Sequence, residues 1–127
     1  MSRDPILFVD DDLTSRLLNG AVLRECGFEV LEARSYAEAC RVIQQHPRLA
    51  ALVTETDLRG EADGFEVARR ARGANAEIPV VYLATSDLKT CITQAVRNSR
   101  LIAKPYDPYQ VVRALEDVAP LVPVRMS

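Results

Sequence analysis

The chain has few of the residues from which metal centres and disulfide frameworks are built. Its three cysteines, Cys26, Cys40 and Cys91, are odd in number, and none lies in a CxxC pair. They are expected to be free thiols in a reducing compartment, packing as small apolar side chains. His46 is the only histidine. It stands beside Pro47 without further His or Cys at ligand spacing, so a zinc site is not expected. The N-terminus, Met1 to Pro5, has no apolar h-region, and no apolar run approaches the length needed to cross a bilayer. A soluble, cytoplasmic protein that does not bind membranes is expected. Basic excess is missing too. With 16 Lys and Arg against 18 Asp and Glu, the formal charge is −2, which leaves no electrostatic footprint for nucleic acid. The densest basic run, Arg69-Arg70-Ala71-Arg72, is expected to be the solvated face of a helix. No glycine-rich loop follows the first apolar run, which argues against a P-loop or dinucleotide-binding site.

What the sequence does have is one domain's worth of alternating pattern. It contains 127 residues, 48% hydrophobic and 27% charged, enough for one core and too few for two ordinary ones. The short apolar run Ile6–Val9 precedes an amphipathic stretch from about Thr14 to Glu25, with Leu17, Leu18, Ala21 and Val22 on its expected inner face and Gly27 as its stop. A second strand is expected over 28–33. Ser35 and Glu38 form a capping-box pattern for a helix to about Gln45, closed by Pro47. A third strand is read at 50–54, a helix from Phe65 to Arg72 ended by Gly73, a fourth strand at 78–83, a weaker helix at 88–98 and a fifth strand at 101–103. Asp107-Pro108 then offers an N-cap with proline in the first turn, opening a helix with Val111, Val112, Leu115 and Val118 on one face. Five strand–helix units predict an α/β fold with a parallel sheet covered on both faces. The domain core is expected over about 5–118, with 119–127 a loosely ordered tail.

In such sheets the working site lies at the carboxyl ends of the strands. Asp10, Asp11 and Asp12 follow the first run, Glu55 and Asp57 the third, Ala84, Thr85 and Ser86 the fourth, and Lys104-Pro105 the fifth. Acids therefore gather at two strand ends and a lysine at another.

These residues, together with Asp63-Gly64 and Ile78-Pro79-Val80-Val81, make residues 5–118 resemble the receiver domain of two-component response regulators. Each motif is weak alone; five in order are specific. The resemblance implies a flavodoxin-like sheet of order 2-1-3-4-5. It implies that an acid at the end of the third strand accepts a phosphoryl group from a histidine kinase as a carboxylate nucleophile. It also implies that Asp10, Asp11 and the backbone carbonyl of Asp57 hold Mg2+, that Lys104 binds the phosphoryl group, and that Pro105 is a cis proline.

The sequence departs from that family at three places. The acceptor position falls on Glu55, because a buried parallel strand should be apolar until its end and because Asp63-Gly64 lies eight positions beyond. Asp57 is the alternative acceptor. Ala84 stands where a switch Thr or Ser is usual, with Thr85 one step on and facing the other way. Leu101 replaces the switch aromatic, and Tyr106 does not substitute for it. Glutamate carries its carboxylate one methylene farther, where near-attack geometry tolerates little error. The expectation is a stand-alone degenerate receiver that docks to proteins without normal aspartyl phosphorylation and with weakened Mg2+ binding. It is expected not to be an enzyme beyond, at most, self-phosphorylation and self-dephosphorylation. Its partners would be a histidine kinase or another signalling protein, or a second copy through the face of the fourth helix, fifth strand and fifth helix. The alternative is a competent receiver using Asp57 or Glu55 with Mg2+. Asp10, Asp11 and Lys104 could equally be retained as a charge-balanced structural cluster.

Overall fold

Strand and helix alternate throughout the computed structural model, which describes residues 4–60, 62–84 and 88–118. The elements are β1 (Ile6–Val9), α1 (Leu13–Glu25), β2 (Val30–Ala33), α2 (Tyr36–Gln45), β3 (Ala51–Glu55), α3 (Gly64–Ala74), β4 (Val80–Ala84), α4 (Leu88–Gln94), β5 (Ser99–Ala103) and α5 (Pro108–Val118). All strand pairs are parallel, and the order is β2-β1-β3-β4-β5, the flavodoxin-like arrangement. The expected tail at 119–127, and Thr85 and Ser86, lie outside the described residues.

The central strands β1, β3 and β4 are buried at every residue and are almost wholly apolar, whereas the edge strands β2 and β5 are only partly buried and carry Glu32, Ser99 and Arg100. Within β1, Leu7 and Val9 enter the core beneath α2 and α3, while Ile6 and Phe8 enter the core beneath α1 and α5. Tyr82 of β4 is fully buried, its ring 5.1 Å from that of Phe65. Its hydroxyl accepts a hydrogen bond from the Val96 amide at 3.1 Å. Tyr82→Phe should therefore cost about 1 kcal/mol, the net worth of one such bond, read as a lower urea midpoint with an unchanged slope.

Several element ends differ from the sequence reading, each for a local reason. Helix α1 closes in a Schellman turn: Gly27, at φ +97°, donates to the Arg24 carbonyl, and Phe28 donates to Leu23. Phe28 is thereby drawn into the helix end, and β2 starts only at Val30. Gly73 does not stop α3, which runs on to Ala74 and is capped at Asn75. A Cβ at Gly73 would meet nothing within 4 Å, so this glycine answers no conformational need. β4 begins after Pro79, and α4 ends four residues early, before a turn in which Asn98 takes φ +55°.

The expected inner face of α1 is corrected more substantially. Leu17 and Leu18 are 53% and 54% exposed, Ala21 is also exposed, and the buried residues are Asn19, Gly20 and Leu23. Polar groups hold this face inward. Asn19 donates to the Ser15 carbonyl at 2.8 Å and to the Tyr106 hydroxyl at 3.0 Å. A Cβ on Gly20 would lie 2.9 Å from the Glu32 carboxylate, which pairs there with Arg16 and Arg24.

Candidate functional site

β1, β3 and β5 end on the same edge of the sheet, and their terminal residues converge. Asp10 follows β1 and is 1% exposed. Its Oδ1 accepts from the Asp12 amide at 2.9 Å and its Oδ2 from the Ser15 hydroxyl at 2.5 Å. Its carbonyl accepts from the Arg16 guanidinium at 2.8 Å. The carboxylate of Asp12 caps α1 by accepting from the Ser15 amide. The acidic turn is thus fixed in place by the helix that follows it.

Glu55 is the last residue of β3, in register with Leu83 of β4, and is 3% exposed. Its carboxylate forms an ion pair of 2.5 Å with the Lys104 ammonium. Burial pushes the Glu55 carboxyl up to about 7; the bond to Lys104 opposes that shift, and the charges of Asp10 and Asp11 add to it. Burial works against the Lys104 charge, but Glu55 and Asp10 hold the ammonium above its usual range. Asp57 lies two residues farther out, in the loop after β3, and is exposed. The structure thus gathers Asp10, Glu55 and Lys104 at one spot and leaves the Asp57 side chain in solvent.

Asp11 faces a partner that sequence reasoning missed. Arg59, in the loop between β3 and α3, donates its amide to Asp11 Oδ2 at 3.1 Å and brings its Nε to 3.3 Å. Gly60 follows at φ +114°, a conformation that suits glycine. Nothing in the local pattern marks Arg59, because the contact spans 48 positions. Ser15, Asn19 and Tyr106 were also unmarked. The Tyr106 hydroxyl accepts from Asn19, and burial pushes its pKa above the usual tyrosine range while the contacts to Ser15 and Asn19 work the other way.

Ala84 ends β4 and is buried, and Leu101 lies half-buried in β5 opposite Tyr82. The Lys104-Pro105 peptide is cis. Hard carboxylate oxygens are the right chemistry for Mg2+, but most of those here already hold a donor or a cation. Both Asp10 oxygens and one Asp11 oxygen already have donors, and Glu55 is turned onto Lys104. Among the described residues no three acidic, His or Cys side chains are grouped closely enough to hold a metal.

Comparison with known proteins agrees with this geometry. Residues 6–116 match the family model described as the response regulator receiver domain. The protein "Probable transcriptional regulator ycf27" of Porphyridium aerugineum is 26% identical over 121 residues, covering 93% of this chain and 49% of that one. The chain therefore spans about half the length of that relative. Among solved structures, a response regulator receiver protein from Sinorhizobium medicae superposes with a TM-score of 0.87 at 26% identity, covering 92% of this chain and 94% of the other. The chemotaxis protein CheY4 of Vibrio cholerae gives 0.80 at 24% identity, over 93% of this chain and 100% of the other, a likeness of fold.

Proposed function

Since the chain belongs to the response-regulator receiver family, we propose that it serves two-component signalling as a degenerate receiver that works by docking to proteins rather than by aspartyl phosphorylation. Receiver domains are signalling proteins, generally not enzymes, and generally bind Mg2+ in an acidic pocket. The observation that carries the reading is the 2.5 Å pair between Glu55 and Lys104. Glu55 stands at the acceptor position, and its own carboxylate takes the lysine that would receive a phosphoryl oxygen. A nucleophile held in an ion pair is poorly placed for in-line attack. Ala84 and Leu101 supply neither the hydroxyl nor the aromatic ring that reads the phosphate in this family. The site is thus altered at both input and output.

A docking role has a surface to use. Leu13, Leu17 and Leu18 of α1 are more than half exposed, and Leu18 borders an open cavity of about 470 Å³ with Asn19, Lys104, Pro105 and Tyr106. Apolar side chains clustered beside a site fit a protein partner, a histidine kinase or another signalling protein in the cytoplasm. Ile92 on α4 is 73% exposed and leaves a second copy as the alternative occupant of that helix's surface. With a net charge of −2, nucleic acid is not part of the proposed reading.

The test is the intact mass after incubation with acetyl phosphate and Mg2+. No phosphoryl adduct is expected. An adduct lost in Asp57→Ala would make this a competent receiver with its acceptor two residues on. An adduct lost only in Glu55→Ala would reveal a glutamyl phosphate. Either result sinks the docking reading.

A further inference from the structure

We propose that Arg59 and Lys104 supply from within the chain the positive charge that a divalent cation would bring to this pocket, with Arg59 shielding Asp11 from the ion. The inference rests on the reading of Glu55 as the acceptor-position residue. The charges of Asp10 and Asp11 both bear on the Glu55 carboxyl. Packed acids need compensating charge. Lys104 meets Glu55 and Arg59 meets Asp11, so each cation is already matched to one acid. The third acid, Asp10, is satisfied without any cation side chain on its carboxylate, by the Asp12 amide and the Ser15 hydroxyl.

The two cations are held differently. Lys104 is the better buried, at 28% side-chain exposure, while the Arg59 side chain is 88% exposed. Arg59 is fixed by its backbone as well, because its amide donates to the same Asp11 oxygen that its guanidinium approaches. Mg2+ demands near-octahedral oxygen ligands. To use Asp11 Oδ2 it would have to displace the Arg59 guanidinium, and to use Glu55 it would have to break the Lys104 pair. Two of the three carboxylate charges are therefore matched from within the chain, and the third, on Asp10, is held by an amide and a hydroxyl.

Titration calorimetry with MgCl2 at constant ionic strength tests this on the wild-type chain, Arg59→Ala and Arg59→Glu. Wild type is expected to show no saturable binding at submillimolar Mg2+. Arg59→Ala should bind Mg2+ about fivefold more tightly than wild type, the most an exposed ion pair commonly contributes, and Arg59→Glu more tightly again. Submillimolar affinity in the wild type, or variants no tighter than wild type, overturns the proposal. Urea unfolding of each variant without metal shows that it is folded. Failure here is separable from failure of the docking reading. A phosphoryl adduct undoes that reading whatever the Mg2+ affinities, and unchanged affinities in the Arg59 variants undo this one even if no adduct forms.

Discussion

Gly64→Ala is expected to destabilise the protein by about 3 kcal/mol, at the upper end for overpacking, and to disturb the end of β3. A Cβ at this position would sit 1.8 Å from the Glu55 carbonyl oxygen, 2.8 Å from its carbon and 3.0 Å from the Thr54 hydroxyl. Backbone cannot swing aside as a side-chain tip can. The Gly64 amide donates to the Thr56 carbonyl at 3.0 Å, so helix α3 starts hard against the strand that carries Glu55. Thr54, fully buried, donates its hydroxyl to the Glu55 carbonyl at 2.9 Å, and this bond would be lost first. Gly73→Ala is the contrast within the same helix. Its site is open, and removing a helical glycine there should add about 0.5 to 1 kcal/mol. Urea unfolding of both variants measures the difference, and equal midpoints would show that the close approach at Gly64 is relieved at little cost.

The second large effect is on pH dependence. Glu55 has a carboxyl near 7 in the folded chain against an ordinary value of 4.5, raised chiefly by burial. Between those two values the folded state binds the proton more tightly than the unfolded state. The resulting stability is fully present below about pH 4.5 and is lost as pH rises through about 7. The shift corresponds to on the order of 3 kcal/mol at pH 8, because Lys104 offsets only part of what Glu55 loses in leaving water. Glu55→Gln keeps the shape and an acceptor oxygen for Lys104 but cannot ionise. It should match the wild type at pH 5 and exceed it by on the order of 2 kcal/mol at pH 8. Urea titrations at the two pH values decide it; a wild-type slope retained in Glu55→Gln would place the pH-sensitive group elsewhere.

The strands and the site order were legible because their signals are local. A parallel strand buried on both faces must be apolar throughout, so Ile6–Val9 marked itself, and the first acid marked the end of β1 at Asp10 and of β3 at Glu55. The Ser35 cap was equally visible, its hydroxyl accepting from the Glu38 amide at 3.1 Å. The inward face of α1 was not legible. Counting apolar side chains placed Leu17 and Leu18 inside, whereas Asn19 and Gly20 are buried. What turns the helix is a hydrogen bond to Tyr106, 87 positions away, and the space that the Glu32 carboxylate occupies against Gly20. Neither contact leaves a mark on helical periodicity.

By itself the sequence determined the alternation of elements, the parallel sheet and the meeting of acids and a lysine at its carboxyl edge, because spacing along the chain and the burial demands of each element decide those. Tertiary structure decided which side chains pair there: Lys104 with Glu55 rather than Asp57 and Asp11 with Arg59 as ion pairs, and Asn19 with Tyr106 by a hydrogen bond. Ion pairs and buried hydrogen bonds act over a few ångströms between residues dozens of positions apart. Their partners exist only once the sheet has brought the strand ends together.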